Sequence, residues 1–308
     1  MLTIEETVDV HADAAHHKVE LLRTPGVFLV RTALAGAYIG IGVVIMATAG
    51  GPLAAVGSGF TPLVQGLVFG VALTIVLVAG AELATSAMMI LTQGAVRGVV
   101  GWGRAAVTLL AVLGGNLLGA IGFAALVHAS GVLAPGTPGG AVLAGMVEHK
   151  ADETLGQLFV RGILCNLLVC LGVWCFGRLR SEGARIAVVF ACVMVFITSG
   201  FEHVVANMTT FSLGIMGGLP GATVGEMARN LLAVGLGNTV GGAVLVGLAY
   251  AYGTRRPSPQ TGTAPDDEAA RVVIAAAVPV GVPVGVPAEA HADTPAVASG
   301  EVVSTAIR

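Results

Sequence analysis

Two apolar stretches of this chain are each too long to be one membrane crossing, and both are interrupted at the same relative place. Residues 63–100 break at GAELATS, beginning at Gly80, and residues 186–220 break at GFEHVVAN, beginning at Gly200. Each break opens with Gly-x-Glu, at Glu82 and Glu202, and the two are offset by 120 residues. A second landmark repeats the pattern: GNLLGAIG opens at Gly115-Asn116 and GNTVGGAV at Gly237-Asn238, an offset of 122. Two landmarks at nearly one offset predict an internal duplication.

Composition fixes the solvent of this duplicated chain. Of its 308 residues 55% are hydrophobic and 11% charged, with a mean hydropathy of +0.89; a soluble domain carries about 25% charge. A spanning helix needs about 20 apolar residues. Apolar runs lie at 27–49, 63–100, 105–128, 158–176, 186–220 and 227–252. The expected fold is therefore an all-α membrane protein of six transmembrane helices, with helices 2 and 5 broken. Three spans per unit is an odd number, so the second copy must insert upside down. Inverted repeats with broken helices in matching positions point to a substrate site near the bilayer midplane.

The basic residues set the orientation. Lys18, Arg23, Arg31, Arg97, Arg104, Arg178, Arg180, Arg185, Arg255 and Arg256 fall on one side of six spans, against Lys150 and Arg229 on the other. That asymmetry places both termini in the cytoplasm. The expected organisation is a segment 1–26 carrying an amphipathic helix on the cytoplasmic face, a channel domain 27–252, and a disordered cytoplasmic tail 253–308. The helix charges read as a solvated surface. The N-terminus is acidic and lacks the basic-then-apolar pattern of a cleaved signal. Within the tail, residues 272–288 are apolar, but Pro279, Pro283 and Pro287 exclude a seventh span.

Few polar side chains lie within the spans: Glu82, Asn116, Arg161, Asn166, Glu202, His203, Asn207 and Asn238. His203, directly after Glu202, is the one to explain, because an ionisable ring at bilayer depth usually faces a cavity, a pathway or a partner helix. HExxH, GxSxG and GxxxxGK[ST] are absent, His128 lies at a span end and His149 in an external loop, so an enzyme is not expected. No basic cluster suggests nucleic acid. Cys165, Cys170, Cys175 and Cys192 fit no metal spacing and read as packing residues. No metal or cofactor is expected. A pore accounts for the pattern better: broken helices turn free N–H groups and positive dipole ends toward an anion. Glu82 and Glu202 then read as structural, pinning broken backbone or pairing with a cation, and Asn116 and Asn238 as bridges between helices or to exposed backbone groups.

FEHVVANM, GAELATS, RGILCNLLVCLGVW and GNTVGGAVLVG together resemble the formate/nitrite transporter family of pentameric anion channels, over residues 15–252. The resemblance implies an aquaporin-like inverted repeat with one pore per protomer, a homopentamer in the bacterial plasma (inner) membrane, with lipid around it. It places the central pore histidine at His203, a pore-facing asparagine at Asn166 and an anion-drawing lysine at Lys150. It also implies an aromatic constriction at Phe69 and Phe196, lining leucines at Leu73 and Leu83, and a loop threonine at Thr85. One departure is Ala84, where the family commonly has an aromatic. AGAYIGIGVVIM and ANMTTFSL are more similar to the nitrite branch, with formate next. The expected function is passage of small monovalent anions, nitrite before formate, with His203 assisting by a proton. The competing class is an aquaporin-like channel for small neutral solutes, whose paired Asn-Pro-Ala motifs are missing from both breaks.

Overall fold

The structure, a computed structural model, describes residues 1–254. The tail expected at 253–308 therefore lies almost wholly outside the described residues. Within them the chain is all-helical. In order come α1 (Ile4–Leu21), α2 (Pro25–Ala55), α3 (Thr61–Val78), α4 (Ala84–Val96), α5 (Trp102–Ser130), α6 (Pro138–Asp152), α7 (Leu155–Arg178), α8 (Glu182–Thr198), α9 (Val204–Met216) and α10 (Val224–Thr239). α10 runs on through a π-helical segment, Val240–Leu248, into α11 (Ala249–Tyr252).

Five of these helical stretches are long and apolar enough to cross a membrane: α2, α3, α5, α7 and the run Val224–Tyr252. α4 and α9 are shorter apolar helices of 13 residues each, and both are buried almost end to end. Around them the long helices turn leucines and valines outward, Leu110 at 67% and Leu126 at 72% exposure among them. An apolar outer face with polar groups gathered inside is the arrangement a lipid solvent requires.

The helix starts are written in local chemistry. Thr3 and Glu6 form a capping box on α1, and Thr154 and Gln157 form one on α7, each satisfying two N–H groups of the first turn. Thr137, Ser181 and Thr223 cap α6, α8 and α10, and Pro25 and Pro138 open α2 and α6 with the fixed φ that a first turn accepts. Thr32, Thr92, Thr108 and Thr210, all buried, bond back to carbonyls four residues earlier, so their hydroxyls are satisfied in an apolar setting.

Packing follows pairs. α2 lies against α3 and α5, α7 against α8 and α10, and α3 against α8. The crossings are close: a Cβ at Gly119 would stand 1.8 Å from the Ala33 carbonyl oxygen, and one at Gly241 2.2 Å from that of Ile163. Any side chain there would force the helices apart.

The N-terminal segment forms the helix α1, and the expectation that its charges are solvated fails for Lys18. Its side chain is 4% exposed and ion-paired with Glu82 at the first break. His11 is buried on the same face. The helix docks on α4, and docking converts one face of it from surface to core.

Candidate functional site

Both interruptions are built from the same parts. α3 ends at Val78 and α8 at Thr198; Gly80 and Gly200 follow with φ of +71° and +68°, a conformation that glycine adopts without cost. The next N–H turns back to the helix, from Ala81 to the Val76 carbonyl and from Phe201 to that of Phe196, each at 3.0 Å. These are helix-ending Schellman turns. Glu82 N–H then bonds to the Arg31 carbonyl at 3.1 Å, and Glu202 N–H to that of Arg161 at 3.3 Å.

Two asparagines complete the match. Asn116 donates to the carbonyls of Thr32 and Glu82, both at 2.8 Å, and accepts from Ala84 N–H at 2.9 Å. Asn238 donates to the carbonyls of Gly162 and Glu202, at 2.7 and 2.9 Å, and accepts from Val204 N–H at 2.9 Å. Each side chain thus satisfies two backbone groups stranded where the chain leaves its helix and ties them to a carbonyl inside a neighbouring helix, Thr32 of α2 or Gly162 of α7. Unpaired in a buried setting, each would be costly. The carboxylates are treated alike as well: Glu82 pairs with Lys18, and Glu202 takes Lys150 on both oxygens at 2.6 and 2.7 Å. Glu202 also accepts from Asn207, whose amide reaches Asn230 at 2.7 Å.

The chemistry differs at the next residue. Leu83 precedes α4, and His203 precedes α9. The His203 ring caps its own helix, Nδ1 accepting from Ala206 N–H at 3.2 Å. An accepting Nδ1 leaves the ring proton on Nε2, which lies 3.0 Å from the Thr85 hydroxyl oxygen. Thr85 stands in the first turn of α4, so that one bond joins the first turns of both short helices. The Thr85 hydroxyl proton stays available to a further acceptor.

Around this pair the walls are apolar. Phe196 lies nearly parallel to the His203 ring, centres 6.1 Å apart and 19° between planes, and meets Phe69 edge-on at 6.1 Å. Leu73 and Leu83 are 2% and 1% exposed. The structure therefore brings together Thr85, His203, Phe196 and Phe69, with Asn166 bonded to the Thr85 carbonyl at 3.1 Å. Lys150 is not a free surface cation: its side chain is 12% exposed and held by Glu202. Ala84, the first residue of α4, gives its N–H to Asn116.

Beyond Lys150, the connection from α6 to α7 carries Glu153, bonded through Oε1 to Arg161 and to His149. Burial raises the Glu153 carboxyl above its ordinary range, Glu202 adds to that, and Arg161, His149 and Lys150 oppose it. On the opposite side, a small cavity between α1 and the first break is lined by His11, Lys18, Leu77, Ala81, Ser86 and Phe176. No group of three or more His, Cys, Asp or Glu suited to a metal occurs among the described residues.

Sequence reasoning missed Lys18, His11 and Cys170. Lys18 stands 132 residues before Lys150, outside the offsets of 120 and 122 that marked the duplication. Nothing in the spacing marked Cys170.

A family model described as formate/nitrite transporter matches residues 5–252. The chain is 40% identical over 239 residues to the nitrite transporter NirC of Salmonella typhimurium LT2, covering 75% of this chain and 86% of that one. Among solved structures it is similar to an FNT family ion channel, at 37% identity and a TM-score of 0.77, covering 81% of this chain and 99% of that one. It is also similar to a pentameric formate channel with formate bound, at 30% identity and a TM-score of 0.63, over 72% and 94% of the two chains.

Proposed function

The chain belongs to the formate/nitrite transporter family, a family of multi-pass membrane transporters, and on that premise we propose that it is a channel for small monovalent anions, nitrite first and formate next. The observation that carries the reading is the 3.0 Å approach of Thr85 to His203 between the first turns of α4 and α9, walled by Phe69 and Phe196. In this reading α3 with α4, and α8 with α9, each make one interrupted span. Six spans then form two inverted repeats, aquaporin-like, with both termini cytoplasmic in the bacterial plasma membrane. The protomers assemble as a homopentamer, each with its own pore. The likeness to a pentameric channel supports the assembly, and the higher identity to a nitrite transporter supports the substrate order.

A bare anion pays many kcal/mol to enter a dry constriction. Phe69 and Phe196 on one side, with Leu73 and Leu83 on the other, supply two such dry rings. The positive ends of α4 and α9 lower the cost of approach, with Lys150 drawing the anion in from beside its partner Glu202. His203 then protonates the anion: the ring takes a proton from solvent on Nδ1, gives its Nε2 proton to the anion and is left neutral with the proton on Nδ1. It regains its resting form when Nε2 is reprotonated from solvent and Nδ1 gives its proton up, while the anion crosses the apolar ring as the neutral acid. Forming the imidazolium also puts a proton on Nδ1 and so gives up the cap on Ala206. That cap favours a second reading, in which His203 stays neutral and serves only as a hydrogen-bond donor to a passing anion.

Flux of nitrite, formate and hydrosulfide into liposomes across a pH range, for wild type and His203→Asn, tests the first reading. Proton assistance predicts that the variant loses both the rise of flux at acidic pH and the discrimination among anions. An unchanged pH profile and selectivity leaves the donor-only reading. The neutral-solute alternative draws no support from the likenesses, and osmotic swelling without permeant anions is its test.

A further inference from the structure

Asn166 has no donor left for an anion. Its amide nitrogen lies 2.7 Å from the Asn238 carbonyl oxygen and 3.1 Å from that of Thr85, so both N–H bonds are taken. Its remaining oxygen is an acceptor, and the Cys170 thiol stands 3.6 Å from it. The same thiol reaches the Thr85 carbonyl at 3.4 Å. Two side chains one turn apart on α7 thus hold one peptide of α4, the peptide whose own side chain meets His203.

The other half of the molecule shows that this brace is an addition. Arg31 and Thr32 of α2 play the backbone parts that Arg161 and Gly162 play on α7, an offset of 130. The same offset carries Asn166 onto Gly36 and Cys170 onto Gly40. Gly36 lies bare against α5, where a Cβ would stand 2.0 Å from the Asn116 carbonyl oxygen. α5 passes it as uninterrupted α-helix. In the second half a side chain lies between the helices, and α10 becomes π-helical from Val240, two residues after Asn238. Gly242, in that segment, leaves the room: a Cβ there would stand 2.4 Å from the Asn166 amide nitrogen and 2.9 Å from the Cys170 sulfur. π-turns inside helices recur at functional sites.

We propose that Asn166 and Cys170 are positioning residues that hold Thr85 against His203, admitted between the helices by the π-helical turn at Gly242, and that neither touches the anion. The inference rests on Thr85 and His203 forming the constriction.

The test is a set of double substitutions in the full-length protein reconstituted in liposomes, with initial nitrite flux as the readout. Cys170→Ala should lower flux about threefold, and Asn166→Ala and Gly242→Ala about tenfold or more, the scale of one or more lost hydrogen bonds. Cys170→Ser, which keeps a donor, should return flux toward wild type. In a Thr85→Val background none of these should lower flux further, because residues acting through one partner are not additive. An Asn166→Ala effect that persists in Thr85→Val overturns the proposal, since Asn166 would then act by a route other than Thr85, on the anion or through the Asn238 carbonyl. Should Asn166→Ala fail to fold, the Cys170 and Gly242 arms decide the same question: persistence of either effect overturns it. Unchanged flux in Thr85→Val alone overturns the constriction reading itself, and the proposal with it.

Discussion

Asn116 and Asn238 each serve one backbone N–H and two carbonyls, all buried. Replacing either with alanine strands the carbonyl and the N–H of one break, where each costs about 1–3 kcal/mol. We expect Asn116→Ala and Asn238→Ala to lose about 3 kcal/mol or more, read as a lowered unfolding temperature in detergent; a loss below about 1 kcal/mol would mean that water replaces the amide. The two carboxylates separate the halves more finely. Glu202 keeps Asn207 as a second donor at 2.6 Å, and Lys150 is 12% exposed, while Glu82 is paired with Lys18, which is 4% exposed. Lys18→Met should therefore cost more than Lys150→Met, about 3–5 kcal/mol for a broken buried pair. Equal losses would show that Asn207 contributes nothing to Glu202. The glutamates were legible in the sequence as the middle of each Gly-x-Glu break. Lys18 was not, because 64 residues separate it from Glu82 and its own helix looks like a charged surface.

That helix, α1, lies outside the spans, and its docking is sensitive to acid through His11. Burial against α4 lowers the His11 ring to about 4 from its ordinary 6.5, opposed by its bond to Gln93 at 2.6 Å and aided by Lys18. Trp174 meets the ring edge-on at 5.4 Å. Docked, the ring is neutral; undocked, it takes a proton below about 6.5. Docking is thus fully stable above 6.5 and loses stability as pH falls through the window to about 4, by about 2 kcal/mol at pH 5. Amide exchange over residues 4–21, corrected for intrinsic rates, should quicken between pH 7 and 5, and His11→Asn should flatten the change. Exchange that ignores pH in wild type would mean that the ring does not limit docking. At this scale the long apolar runs were readable, because hydropathy is a local signal. α6 was passed over as loop despite Thr137-Pro138, since its content is too polar for a span. The π-helical segment leaves the apolar pattern of Val240–Leu248 unchanged, so only the packing of Asn166 reveals it.

Over the whole molecule the matched bonds give one rule. α1 and α6 each bring a lysine to a break, α2 and α7 the carbonyls that accept from it, α5 and α10 the asparagine that clamps it. In the proposed repeat the duplication would then begin with α1 and not with the first span, and an odd number of spans in each unit would turn the second copy over. The two lysines should then face opposite sides of the membrane, Lys18 inward and Lys150 outward. Charge asymmetry gives the same answer independently, since the connections from α4 to α5 and from α7 to α8 carry the arginines. Single cysteines placed in connections decide it. The native cysteines are buried or half-buried, which keeps background labelling low. Ser58→Cys and Pro135→Cys should react with an impermeant maleimide on intact spheroplasts, whereas Gly101→Cys and Ser181→Cys should react only after lysis. If Ser58→Cys and Gly101→Cys label from the same side, then α3 with α4 does not cross, and the inverted repeat fails with it. If all four positions report the reverse, the repeat stands, and the positive-inside assignment alone is wrong.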